Sequence, residues 1–121
     1  MPPESLVAGD VAWAIFPEHV PGGHEQEGRR PAVIVAVPDR PTRYPILWVA
    51  PVTTRQGPWQ TANPQCYPGL QAGAGGLPRP SFVLLDQLRA IDASRLSEFI
   101  GTLPGEDFGR IVAGLRLLLR L

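Results

Sequence analysis

The sequence contains no lysine. All eleven basic residues are arginine, and eleven acidic residues bring the net charge to zero. Domains built to grip duplex DNA carry a large basic surface and a pI far above the value of about 6.7 found here, so that class is excluded. A small local basic site is not. The missing lysines go with the 15 prolines as marks of a GC-rich coding bias. Selection for bidentate phosphate contacts would not remove lysine everywhere. A single cysteine, Cys66, excludes an internal disulfide framework, and with only His19 and His24 beside it almost nothing is left for a structural zinc site. No stretch approaches the ~18 consecutive apolar residues of a membrane span. Met1 to Gly9 has no basic run followed by an apolar one, so no signal peptide is expected, and the protein is read as cytoplasmic.

What is present is an ordinary globular balance over 121 residues, 44% hydrophobic and 18% charged, read as one domain spanning residues 1–121. Val11 to Phe16, stopped by Pro17, reads as a strand buried on both faces. Pro31 to Val37 is a second strand, rich in β-branched residues. Ile46 to Val52 is a third, reaching Thr53-Thr54, with Pro51 suggesting an edge or a bulge. Residues 55–80 read as long connections with one short strand near Gln65–Tyr67, and Ser81 to Ile91 as one long strand. Asp92 caps a helical turn through Leu96, and Glu98 to Thr102 is a short strand. From Gly105, the spacing of Phe108, Ile111, Val112, Leu115 and Leu118 predicts an amphipathic helix. Leu117, Leu119 and Leu121 exceed what one stripe needs, so this end is either a partner or dimer surface or tucked into its own core. The fold class is a small mostly-β barrel with helical additions.

The densest cluster of reactive side chains is Gly22-Gly23-His24-Glu25-Gln26-Glu27-Gly28-Arg29-Arg30-Pro31, a polar loop ending where a buried strand begins. Composition alone favours a solvated loop. The run Gly73-Ala74-Gly75-Gly76 lacks the Gly-Lys-Ser/Thr ending of a phosphate loop. Asp86, within an apolar stretch, is expected at a strand end or buried with a partner. Trp13 and Trp48 are expected in the core. Trp59, in a loop, either packs under that loop or stacks on a base, and Cys66 reads as buried and inert.

The string Gly23-His24-Glu25-Gln26-x-Gly28-x-Arg30-Pro31 resembles the signature loop of the MazF/PemK/Kid toxins of bacterial toxin–antitoxin pairs. The likeness continues in order through Gly9-Asp10-Val11-x-Trp13, Val49-x-Pro51-Val52-Thr53-Thr54, Gly75-Gly76-Leu77-Pro78, Leu85-Asp86-Gln87-Leu88-Arg89-x-Ile91-Asp92 and Gly101-Thr102-Leu103. It covers nearly the whole chain. It implies an SH3-like barrel of the CcdB/MazF type with a C-terminal amphipathic helix, forming a homodimer. It further implies a ribosome-independent, metal-independent and cofactor-free endoribonuclease, an mRNA interferase cutting single-stranded RNA at a short sequence. The ends left would be a 2′,3′-cyclic phosphate and a 5′-hydroxyl, and the partner would be a MazE-like antitoxin whose disordered tail folds on binding.

By the same resemblance, Arg30 falls on the family's catalytic arginine and Thr53 on its catalytic threonine. His24 falls on a position that is histidine in the Kid-like branch, and Asp86 on that branch's carboxylate. The branch's arginine two residues earlier is Leu84 here, and the loop between Trp13 and Glu25 is slightly longer than in familiar members. RNA supplies its own 2′-hydroxyl nucleophile, so the enzyme must supply a base, a stabiliser for the crowded phosphorane and an acid. A guanidinium with a pKa above about 12 suits charge stabilisation and not proton transfer. His24 is the natural proton carrier, with Glu25 in reserve. RNA contacts are expected from Gln26, Thr54, Asp86 and Gln87, and, from loop position and not from the resemblance, from Arg29, Arg55 and Arg79, with Arg89 a further candidate of that kind. Two rival classes share the barrel: a CcdB-like toxin that binds DNA gyrase without catalysis, and an SH3-like protein-binding module.

Overall fold

The computed structural model describes residues 5–121, so the first four residues of the Met1–Gly9 segment lie outside it. Seven strands form the sheet: β1 (Asp10–Phe16), β2 (Gly28–Ala36), β3 (Ile46–Thr53), β4 (Gly69–Leu70), β5 (Ser81–Val83), β6 (Arg89–Asp92) and β7 (Leu96–Thr102). Two helices accompany them, the short α1 (Pro58–Ala62) and the terminal α2 (Gly105–Leu119). The sheet runs β4-β5-β3-β2-β1-β7, and β6 pairs with the other half of β3.

The three apolar runs become β1, β2 and β3, adjacent and antiparallel, with Val11 opposite Val33 and Val33 opposite Ala50. Strand alternation then divides them between two cores. Val33, Ala50 and Val52 join Val83, Leu85 and the helix residues Ile111 and Leu115 on one side. Ala32, Ile34, Leu47 and Val49 join Phe16 and Ile91 on the other. Their middle stretches are apolar because both faces are covered there. Each large side chain so buried contributes roughly 1.5–3 kcal/mol.

Several local expectations change. Ser81 to Ile91 is not one strand: β5 pairs with β3 at Val52–Thr53, β6 pairs with β3 at Ile46–Val49, and a 3-10 turn at Leu85–Gln87 steps between them. That step lets Leu85 drop fully into the core. Pro51 therefore sits in a central strand and not at an edge. Its missing N–H falls where β3 changes partner, and its carbonyl accepts from Leu84 N–H at 2.9 Å. The short strand lies at Gly69–Leu70, beyond Gln65–Tyr67.

Neither Trp13 nor Trp48 is core. The β1–β7 register slips between Ala12 and Ala14, which frees Trp13 to face outward. Trp48 is 36% exposed, because its cross-strand neighbours are the small Ala36 and Ala90. Asp92 caps a 3-10 turn at Ala93–Arg95, accepting Ser94 N–H at 2.9 Å, and that bond holds its carboxyl below the usual range. Helix α2 begins where predicted, with Glu106 and Asp107 in its first turn favouring the dipole. Its buried stripe is narrower than predicted, running through Ile111, Gly114 and Leu115, while Val112 and Leu118 are exposed. Leu117, Leu119 and Leu121 are open to solvent and not tucked into the core.

Candidate nucleic-acid interface

The reactive loop follows β1 and ends in β2. Gly28, the first residue of β2, has φ +83°, a left-handed conformation that favours glycine. It is followed at once by Arg29 and Arg30. The Arg30 Nε donates to the Glu27 carbonyl at 2.9 Å, which orients the guanidinium fork from within its own turn. The Arg29 guanidinium lies 4.1 Å over the Trp13 ring and 4.0 Å from Glu98, an exposed pair that water screens.

At the end of β3, the Thr53 Oγ1 accepts the Arg55 N–H at 3.1 Å. The hydroxyl proton is left to point elsewhere. Arg29, Arg30, Thr53, Thr54 and Arg55 all line one cavity of about 650 Å³, and Arg79 closes it from the turn before β5. Trp13, Leu77, Pro78 and Ile100 supply its apolar walls. No carboxylate lines it. Among the described residues, Arg30, Arg55 and Arg79 form no ion pair. A chain of zero net charge thus gathers four of its arginines in one concave place.

A second cavity, of about 540 Å³, shares Thr53 and Arg55 with the first, so the two form one groove. His24, Gln26, Asp86 and Gln87 line it together with Trp59, Tyr67 and Leu84. Asp86 is exposed on the 3-10 turn, and its partner is the Tyr67 hydroxyl, which donates to Oδ2 at 2.8 Å. Accepting that proton, the carboxylate pushes the Tyr67 phenol well above its ordinary range. Trp59 meets Tyr67 edge to face at 4.8 Å and Phe82 at 6.4 Å. Cys66 is buried beneath them, and burial, with the charge of Asp86 second, raises its thiol pKa.

Of the residues singled out in the sequence, Glu25 is exposed and lines neither cavity, and Arg89 faces His19 and Phe16 instead of the groove. Tyr67, which lines the second cavity, carried no local signal, since its place beside Trp59 and Asp86 is set only by folding. Among the described residues no three His, Cys, Asp or Glu side chains gather as metal ligands would.

This architecture has counterparts. Residues 8–119 match the family described as the PemK-like, MazF-like toxin of type II toxin–antitoxin systems. MazF from Deinococcus radiodurans is similar with a TM-score of 0.72 and 26% identity, over 96% of this chain and 97% of that one. A MazE–MazF complex from the same organism gives 0.67 and 26%, over 96% of each chain. An endoribonuclease in complex with its cognate antitoxin, from a mycobacterial species, gives 0.70 at 17% identity over 97% of each chain, a likeness of fold alone. A comparison with curated proteins found no match. The sheet with its terminal helix is the SH3-like barrel of the CcdB/MazF type. With the family match running from before β1 to the last turn of α2, the chain belongs to the PemK-like, MazF-like toxins of type II toxin–antitoxin systems, a family of endoribonucleases.

Proposed function

We propose that this chain is a sequence-specific, ribosome-independent endoribonuclease of single-stranded RNA, an mRNA interferase acting in the cytoplasm and restrained by a MazE-like antitoxin. The observation that carries this reading is the first cavity of the groove: four arginines and Thr53, with no carboxylate, where β2 begins and β3 ends. Such a concentration of guanidinium groups, of which only Arg29 has a carboxylate beside it, suits a polyanion of a few nucleotides, with Trp13, Trp59 and Tyr67 as stacking surfaces.

The roles follow from the chemistry. The 2′-hydroxyl attacks the adjacent phosphorus, the P–O5′ bond breaks, and a 2′,3′-cyclic phosphate and a 5′-hydroxyl result. Because the nucleophile belongs to the RNA, no metal is needed to generate one. Arg30, anchored through Nε to the Glu27 carbonyl, offers its fork to the non-bridging oxygens as charge develops. Thr53, whose oxygen already accepts from Arg55 N–H, keeps its proton for the scissile phosphate. His24, which lines the adjoining cavity where Glu25 does not, moves the proton. Arg29, Thr54, Arg55 and Arg79 hold the backbone, and Gln26 and Asp86, which line the adjoining cavity, meet the bases. The protein acts as a homodimer, to which the open leucines of α2 and Trp48 supply an apolar face.

The test uses purified protein, a long unstructured RNA and EDTA, with Arg30→Ala alongside and fragment ends mapped. Cuts restricted to one short sequence, with 5′-hydroxyl ends and absent in the variant, are expected. No cutting over a wide set of sequences would overturn the reading in favour of a gyrase-binding toxin.

A further inference from the structure

The loop between β1 and β2 is polar and mostly exposed, yet side chains from far along the chain pin it at two places. At the end of the 3-10 turn, Gln87 accepts Gln26 N–H at 3.3 Å through Oε1 and donates from Nε2 to the His24 carbonyl at 3.4 Å. Two residues on, the Arg89 guanidinium meets the His19 ring nitrogen at 3.2 Å. His19 N–H in turn donates to the Glu27 carboxylate at 2.6 Å, and the Glu27 carbonyl receives Arg30 Nε. One short segment, 87–89, thereby holds both ends of the loop.

The Gln87 contacts are the informative ones. A single carboxamide takes the carbonyl of His24 and the N–H of Gln26, gripping the chain on either side of Glu25 across its bend. His24 and Gln26 line the groove, and Glu25 does not. Without the grip, an exposed bend offers the imidazole many orientations. Proton transfer tolerates few: a displacement of about 1 Å costs on the order of 100-fold in rate.

We infer that Gln87 is a positioning residue, whose carboxamide clamps the His24–Gln26 bend so that the imidazole faces the Thr53 groove, without touching the reacting atoms itself. This rests on the reading of His24 as the proton carrier. It moves the main work of Gln87 from the RNA to the protein's own backbone.

Cleavage kinetics of the wild type, Gln87→Leu, His24→Ala and the double variant test it, alongside amide hydrogen exchange over residues 18–27. Gln87→Leu is expected to speed exchange at Gln26 and lower kcat by about 10- to 100-fold with KM within about twofold. It should add little once His24 is gone, because both act through one group. Gln87→Glu keeps the acceptor for Gln26 N–H but loses the donor to His24, and should fall between. Unchanged exchange in Gln87→Leu would overturn the clamp. Losses that multiply in the double variant, or a raised KM with kcat intact, would overturn positioning and make Gln87 a direct RNA contact. If His24→Ala cuts as fast as the wild type, the His24 reading fails and positioning falls with it, while exchange alone still decides the clamp.

Discussion

Gly109 and Gly114 lie in the same helix, and one added methyl group should act on them with opposite sign. Gly109 is exposed, and a Cβ there meets nothing within 4 Å. Alanine removes the backbone-entropy cost of a mid-helix glycine, so Gly109→Ala should stabilise the protein by roughly 0.5–1 kcal/mol. At Gly114 the same Cβ would run into the Gln65 carbonyl oxygen and come within 2.6 Å of Leu85 Cδ1. The oxygen belongs to backbone that leads into the buried Cys66, so it has little room to retreat. Overpacking of this kind costs about 1–3 kcal/mol, which outweighs a propensity gain of about 1. The net expectation is a destabilisation of up to about 2 kcal/mol. Urea and thermal melts of both variants, at one protein concentration because dimerisation adds to apparent stability, check it. For a chain of this size each kcal/mol moves Tm by roughly 4 °C. A Gly114→Ala protein that melts at or above Gly109→Ala would show that α2 does not pack on the 65–85 segment through this glycine, and the account of the core would fail.

Four further outcomes are expected. Arg30→Lys keeps the charge but loses the Nε anchor on Glu27 and the fork, so cleavage should fall about 100- to 1000-fold, as in the alanine variant; a lysine variant that cuts normally would refute the geometric role. The Asp86 carboxylate stabilises the protonated Tyr67, so its stabilising effect is complete below about pH 10 and fades as pH climbs through the raised folded value. Asp86→Asn should return the tyrosine absorbance titration toward its ordinary range, and an unmoved curve would contradict this. Cys66, the single thiol, should label slowly in the native protein and completely in urea; rapid native labelling would show that it is not buried. Leu119→Glu should shift the sedimenting species toward monomer, and an unchanged mass would place the dimer contact elsewhere.

Much of this protein was legible along the chain. Three apolar runs bounded by Pro and Gly became β1 to β3, since a segment with no polar face is mostly buried on both sides. The 3.6-residue spacing after Gly105 marked α2, and Asp92 marked its capped turn. Ordered motifs from Gly9 to Leu103 pointed to the toxin family, and the Arg30 and Thr53 positions could be named from them.

Other features belong to the tertiary structure alone. Ser81 to Ile91 is apolar enough for one strand, but β3 needs two different partners along its length, and that demand breaks the run at Leu85–Gln87. Trp13 and Trp48 look like core residues until register and small cross-strand neighbours turn them outward. A net charge of zero conceals a groove with four arginines, because charge summed along a chain says nothing of where folding puts it. Residues 24, 53 and 86 share one groove only because β2 and β3 pair and the 3-10 turn closes over the loop. The grip of Gln87 on His24 spans more than sixty residues of sequence. Local composition determined the elements; the pairing of distant backbone determined which side chains meet.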